Sequence, residues 1–266
     1  PAERKENRLA DELEAAIETA RAAGEVLRAG FGRGGKVRYK GEVDLVTETD
    51  EESERLIKEA LLGAFPTYGM LAEESGQTAG EDEARWIVDP LDGTINFAHD
   101  LPIFAVSIAL QRGDDLVLGV VYDPMRDELF TARRGEGAFL NGKPITPTKT
   151  GELIHALLAT GFPYDRGELP EALELFGRFA SRTRSIRRLG SAAIDLCYVA
   201  CGRLDGYYER GVWPWDVAAG ALILEEAGGR VTDYRGDPPD MEDREILASN
   251  GPLHQGMLEV ISNTSG

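Results

Sequence analysis

The chain has 266 residues, 42% of them hydrophobic and 29% charged, which excludes a disordered or low-complexity chain. That length fits one large α/β domain or two closely packed halves. Its 47 acidic against 29 basic side chains give a formal net charge of −18, a field that repels nucleic acid and anionic membrane surfaces.

The first seven residues lack the apolar core of a secretion signal, and no apolar run approaches the roughly 18 residues of a membrane span. A soluble cytoplasmic protein is therefore expected. Over residues 7–27 apolar side chains fall at Leu9, Leu13, Ala16, Ile17, Ala20, Ala23 and Leu27, the stripe of an amphipathic helix. A loop-like stretch with Lys40 and Asp44 follows, a candidate lid. Residues 49–64 read as a second helix, with Asp50, Glu51, Glu52 and Glu54 in its first turns as the helix dipole favours, and Pro66 ends it.

Over residues 104–139 the pattern turns to short apolar runs separated by tight-turn residues, the signature of antiparallel strands, and Asn141-Gly142 reads as a type I′ turn. The remainder alternates: helix 170–182, strand 185–188, helix 191–200, strand 205–208, helix 215–227, strands 230–233 and 246–248, and a closing helix from residue 252. Two halves are expected, an α+β unit over 1–150 and an α/β unit over 151–266, with the site in the crevice between them.

Cys197 and Cys201 stand i,i+4 on one helix with no further Cys or His nearby, so they read as buried small residues; a zinc site and a disulfide framework are both excluded. His99, His155 and His254 have no ligand-like spacing and read as structural or exposed.

The chemistry concentrates at residues 86–97. Trp86-Ile87-Val88 is an apolar strand that runs into Asp89, Pro90, Leu91, Asp92, Gly93 and Thr94. Two carboxylates and the Leu91 carbonyl are hard oxygen donors suited to Mg²⁺, and a Gly-Thr helix start offers N–H groups to a phosphate. Taken alone, such a pair is often only turn chemistry, but the apolar strand before it and the Gly-Thr after it favour a site. An acidic protein that handles phosphate needs divalent cations to invert the local sign, so the reading is metal-assisted phosphoryl transfer to water. The spacing is D-x-x-D, so no aspartyl-phosphate intermediate is expected.

Four other places have both a chemical and a plain structural reading. Glu73-Glu74-Ser75 follows an apolar strand and either converges on the metal or is solvated surface. Asp216, after Trp213-Pro214-Trp215, is a metal ligand or a helix N-cap. Arg188-Leu189-Gly190-Ser191-Ala192 offers N–H groups to substrate or packs closely against a neighbour. Glu209 accepts a sugar hydroxyl or stands idle at a rim.

Together these pieces resemble the inositol monophosphatase family, in order and spacing, over nearly the whole chain: the segment from Asp44 to Asp50, Ala72-Glu73-Glu74-Ser75, the run 86–97, and the run 215–229. The resemblance implies an α/β sugar-phosphatase fold of alternating αβαβα layers, with a mixed or antiparallel sheet in the N-terminal half and a second sheet in the C-terminal half. It implies two or three Mg²⁺ per site, sensitivity to lithium and a homodimer.

By the same resemblance Glu73, Asp89 and the Leu91 carbonyl hold one Mg²⁺, and Asp89, Asp92 and Asp216 a second, with a weaker third near Glu73. Glu73, Thr94 and Asp50 form the catalytic set that orients and activates the attacking water. Asp92, Gly93, Thr94, Gly190, Ser191, Ala192, Glu209 and Asp216 contact substrate. The implied reaction is direct in-line hydrolysis of inositol 1-phosphate and related sugar or polyol phosphates by a metal-activated water. Arg188 beside the pocket suits a second phosphate, which keeps fructose 1,6-bisphosphate as an alternative substrate; adenosine bisphosphates and histidinol phosphate rank below it.

Overall fold

The computed structural model describes residues 2–33, 37–39, 45–239 and 244–262; Lys40 and Asp44, and with them the expected lid, lie outside the described residues. The first helix, α1 (Ala2–Gly30), is followed by the short pair β1 (Val37–Tyr39) and β2 (Leu45–Thr47), then by α2 (Glu48–Ala64). Thr47 caps α2 in a reciprocal box with Asp50, and Phe65 closes its C-terminus, one residue ahead of Pro66.

Eight strands form the first sheet: β3 (Gly69–Ala72), β4 (Gly76–Thr78), β5 (Ala84–Asp92), β6 (Ala105–Arg112), β7 (Asp115–Asp123), β8 (Glu128–Arg133), β9 (Ala138–Leu140) and β10 (Lys143–Pro144). Their order is β10-β9-β8-β7-β6-β5-β3-β4, antiparallel throughout except for β3 beside β5. A five-residue helix, α3 (Thr94–Ala98), leaves the end of β5. Asn141 and Gly142 both have positive φ, 48° and 74°, as a type I′ turn between β9 and β10 requires.

The second sheet, in the order β12-β11-β13-β15-β14, is built from β11 (Leu157–Thr160), β12 (Ser185–Arg187), β13 (Gly206–Arg210), β14 (Arg230–Thr232) and β15 (Glu245–Ser249). Helices α4 (Leu169–Ala180), α5 (Ala192–Ala200), α6 (Pro214–Glu226) and α7 (His254–Ser262) alternate with these strands. Strand β11, one in from the β12 edge and parallel to both β12 and β13, is absent from the sequence reading. Only four residues long, it carries no alternation by which to find it.

The buried side chains divide by layer. Leu27, Ile57, Leu61, Trp86 and Val88 fill the space between α1, α2 and one face of the first sheet. Ile87, Ala109, Leu196 and Leu222 belong to a core in which α5 and α6 lie between the two sheets. Leu158, Phe179, Tyr208 and Met257 join the outer face of the second sheet to α4 and α7. The order is αβαβα. Helix α6 is buried from Val217 to Leu224, as a helix apolar on every side must be when sheets cover it from both directions.

Candidate active site

Residues three apart on a regular strand point to opposite faces, so Asp89 and Asp92 should diverge. They do not, because β5 carries a bulge. Asp89 pairs with Ser107 and Asp92 with Ala105, so three steps on β5 match two on β6. The extra residue turns both carboxylates to the face covered by α6, where Ser107 Oγ donates to the Trp215 carbonyl at 3.3 Å. Pro90, which has no N–H to lose, sits inside the bulge.

Strand β3 runs parallel to β5 with Ala72 opposite Val88, so the next residue, Glu73, comes beside Asp89. The Glu73 N–H donates to the Val88 carbonyl at 3.2 Å and fixes that register. Asp216 enters from the other side at the third position of α6, where its carboxylate accepts the Trp213 N–H at 2.7 Å. Trp213, not Asp216, is the N-cap of α6; Asp216 is its third residue and bonds back to the cap, which leaves the metal-ligand reading open.

Glu73, Asp89, Leu91, Asp92 and Asp216 line one pocket of about 270 Å³, together with Gly93, Thr94, Arg188, Gly190, Ser191, Ala192 and Glu209. Asp50 is buried behind it. Among the described residues no three His, Cys, Asp or Glu side chains are drawn together as a ready-made ion cage. Part of each carboxylate is engaged by the protein: Asp92 Oδ2 accepts the Ser191 hydroxyl at 2.5 Å and the Ala193 N–H at 2.7 Å, and Asp89 Oδ1 accepts the Leu91 N–H at 2.9 Å.

Desolvation dominates the electrostatics. Burial pushes the Asp89 carboxyl well above the usual range, and the charges of Glu73, Asp92 and Asp216 push it further. Asp216 is raised by burial and then by Asp92. Asp92 reaches about 6, burial outweighing its bonds from Ser191 and Ala193. Carboxylates that raise one another in this way call for positive charge among them.

Thr94 opens α3 immediately after Gly93, whose φ of 101° is left-handed. A Cβ there would lie 2.9 Å from the Ile103 carbonyl oxygen, so only glycine fits. Thr94 Oγ1 lies 3.1 Å from Asp50 Oδ1 and 3.0 Å from the Leu91 carbonyl, and its single proton is shared between them. Asp50 also accepts the Thr47 N–H at 2.9 Å and the Thr47 hydroxyl. Burial nevertheless lifts it to about 6.

At the far end Glu209 is held by the Tyr207 hydroxyl at 2.6 Å, and burial raises its carboxyl. Gly161 lies against it, with no room for a Cβ, which would sit 2.0 Å from both Glu209 oxygens. Arg188 is exposed at the mouth. Asn96 ties this end to the bulge end, donating from Nδ2 to the carbonyls of Ile103 at 2.8 Å and Leu189 at 2.7 Å.

Gly161, the aromatic rim residues Phe162 and Tyr164, and Asp195, a buried pocket carboxyl whose Oδ1 has no hydrogen-bond partner, were not singled out from the sequence. The three histidines take no part. His99 and His155 are exposed, and His254 is buried between the hydroxyls of Thr232 and Ser249, each 2.9 Å away.

The model of the inositol monophosphatase family matches residues 9–265. The chain belongs to the inositol monophosphatase family. It is 46% identical over 255 residues to the inositol-1-monophosphatase of Synechocystis sp., covering 95% of this chain and 89% of that one. Inositol monophosphatase 2 of Solanum lycopersicum is 45% identical over 260 residues, with 95% and 98% covered. Among solved structures, the extragenic suppressor protein suhB of Bartonella henselae superposes with a TM-score of 0.92 at 39% identity, covering 95% of this chain and 98% of that one. A SaIMPase-II structure with inositol monophosphate bound gives 0.79 at 30% identity, with 92% and 91% covered. Family membership accounts for the layered fold and for the acidic pocket occurring together in one chain.

Proposed function

We propose that this protein is a Mg²⁺-dependent phosphomonoester hydrolase acting on inositol 1-phosphate and related sugar or polyol phosphates. One observation carries the reading: in a chain of this family, four carboxylates and a backbone carbonyl from separate segments line a single pocket. The donor set fits the ion. All five groups are oxygens, and the mutual repulsion that raises Asp89 and Asp216 is relieved by divalent charge. Glu73, Asp89 and the Leu91 carbonyl would hold one Mg²⁺, Asp89, Asp92 and Asp216 a second, with a weaker third near Glu73. Mg²⁺ supplies Lewis-acid polarisation of the phosphoryl oxygens and offsets charge on the leaving alkoxide.

The protein's own groups do the rest. With its proton held by Asp50, Thr94 Oγ1 turns a lone pair to the pocket and accepts a hydrogen bond from the attacking water. Glu73, on the same wall, takes the other proton and aims the water oxygen at phosphorus in line with the ester oxygen. The N–H groups at Gly93 and Thr94 receive phosphate oxygens. Glu209, with Gly190, Ser191 and Ala192, meets the polyol hydroxyls, and the inositol monophosphate bound by the SaIMPase-II relative supports that class of substrate. The same reading includes a cytoplasmic homodimer inhibited by lithium.

The test is phosphate release from inositol 1-phosphate and fructose 1,6-bisphosphate in parallel. The expected result is a higher kcat/KM for inositol 1-phosphate. A reversed preference would instead assign Arg188 to a second phosphate and overturn the substrate assignment.

A further inference from the structure

Helix α2 supplies more to the site than Asp50. Ser53 and Glu54 follow at i+3 and i+4, so the three side chains share one face of the helix, and all three are buried. Each grips a different segment of the chain. Asp50 accepts the Thr94 hydroxyl. Ser53 Oγ donates to the Pro90 carbonyl at 2.9 Å, inside the bulge that aims Asp89 and Asp92. Glu54 accepts two backbone N–H groups, that of Glu74 on Oε2 at 2.8 Å and that of Ser75 on Oε1 at 2.9 Å.

Glu73 is thereby fixed from both sides. Its own N–H is held by Val88, and the next two N–H groups by Glu54. A carboxylate with 5% exposure is costly unless its oxygens are satisfied, and here both are engaged by one turn. A leucine would fill the space without that cost but would leave two N–H groups unpaired. The choice of glutamate matches a need to hold the turn, not merely to fill the core.

We infer that Glu54 is a positioning residue for the proposed hydrolase: it locks the turn that sets Glu73 beside Asp89, while Ser53 locks the bulge that presents Asp89 and Asp92. The role rests on the proposed function, but the clamp has readouts of its own.

Glu54→Gln keeps the size and one acceptor, and opposes the second N–H with an amide group that cannot accept. In this variant amide hydrogen exchange at Glu74 and Ser75 speeds up by roughly tenfold or more, with β7 unchanged. The Mg²⁺ dissociation constant from calorimetry rises, and kcat/KM falls, by about 10- to 100-fold at a thermal midpoint near that of the unaltered protein. Arg55→Ala, on the exposed face of the same helix and paired with Glu59, alters none of these.

Faster exchange with unchanged Mg²⁺ affinity and kcat/KM overturns the proposal, as does a uniform loss of protection with the folded fraction fully active. If Glu54→Gln does not fold, Ser53→Ala reads the same helix: a raised Mg²⁺ dissociation constant supports the proposal and an unchanged one overturns it. Absence of turnover by the unaltered protein on every phosphate ester would sink the hydrolase assignment, while exchange and Mg²⁺ affinity still report on the clamp.

Discussion

In the proposed reaction the proton on Thr94 Oγ1 sets how the site responds to pH. An ionised Asp50, together with the Leu91 carbonyl, draws that proton away from the lone pair proposed to face the water, and burial has moved Asp50 to about 6. Asp50 is an acid with a raised value, so its charged form appears only as pH rises through about 6, and activity should rise across that window. Thr94→Val, which keeps the shape and removes the hydroxyl, is expected to lower kcat by roughly 10²-fold or more. Thr94→Ser should retain most of it. Steady-state rates from pH 5 to pH 8 check both, and a Thr94→Val variant with unaltered kcat would remove Thr94 from the reaction.

Elements explain how separate segments meet at one place. The bulge in β5 was not legible: Pro90 lies within it, but the sequence does not say which faces the flanking aspartates take. Helices α1, α2 and α4 to α7 were legible from their apolar spacing and capping residues. Strand β11 was not, and Gly161, which follows it, was missed with it. Asp50, Asp89, Asp92 and Asp216 stood out because each falls at a strand or helix end. Ser53 and Glu54 look like ordinary polar helix residues, and only the tertiary fold buries them.

Gly161→Ala tests how the end of β11 shapes the pocket. Its Cβ would overlap the Glu209 carboxylate, so Glu209 must swing away, and KM for inositol 1-phosphate should rise by about tenfold, the equivalent of one lost polar contact. Steady-state kinetics on the purified variant check it. An unchanged KM would mean that Glu209 does not touch the substrate.

In the whole molecule, two kinds of buried ionisable group bend stability in opposite directions with pH. His254 is pushed down from 6.5 to about 4 by burial, so the stability linked to its neutral form is complete above pH 6.5 and is lost as pH falls toward 4. Asp50 and Asp92 are raised from 3.8 to about 6, so their contribution is complete below pH 3.8 and is lost as pH rises through 6. His254→Gln should lower the urea midpoint at pH 7.0 and narrow its difference from the unaltered protein at pH 4.5. An equal deficit at both values would show that His254 does not titrate in this window.

The αβαβα fold class was legible, though β11 was not, because the acidic motifs in their order specify a family and the family carries that arrangement. The placement of α6 between two sheets was not legible, since burial on every side is a property of the assembled layers.

Mg²⁺-dependent hydrolysis of inositol 1-phosphate by the acidic pocket is decided by phosphate release from the unaltered protein and from Asp89→Asn, measured side by side across a Mg²⁺ titration and with chelator. The expected result is a Mg²⁺-saturable rate that chelator abolishes and that Asp89→Asn lowers by roughly 10³-fold, the several kcal/mol expected from metal-assisted catalysis. Release that survives chelator, or an Asp89→Asn variant close to the unaltered rate, would rule out that role for the pocket.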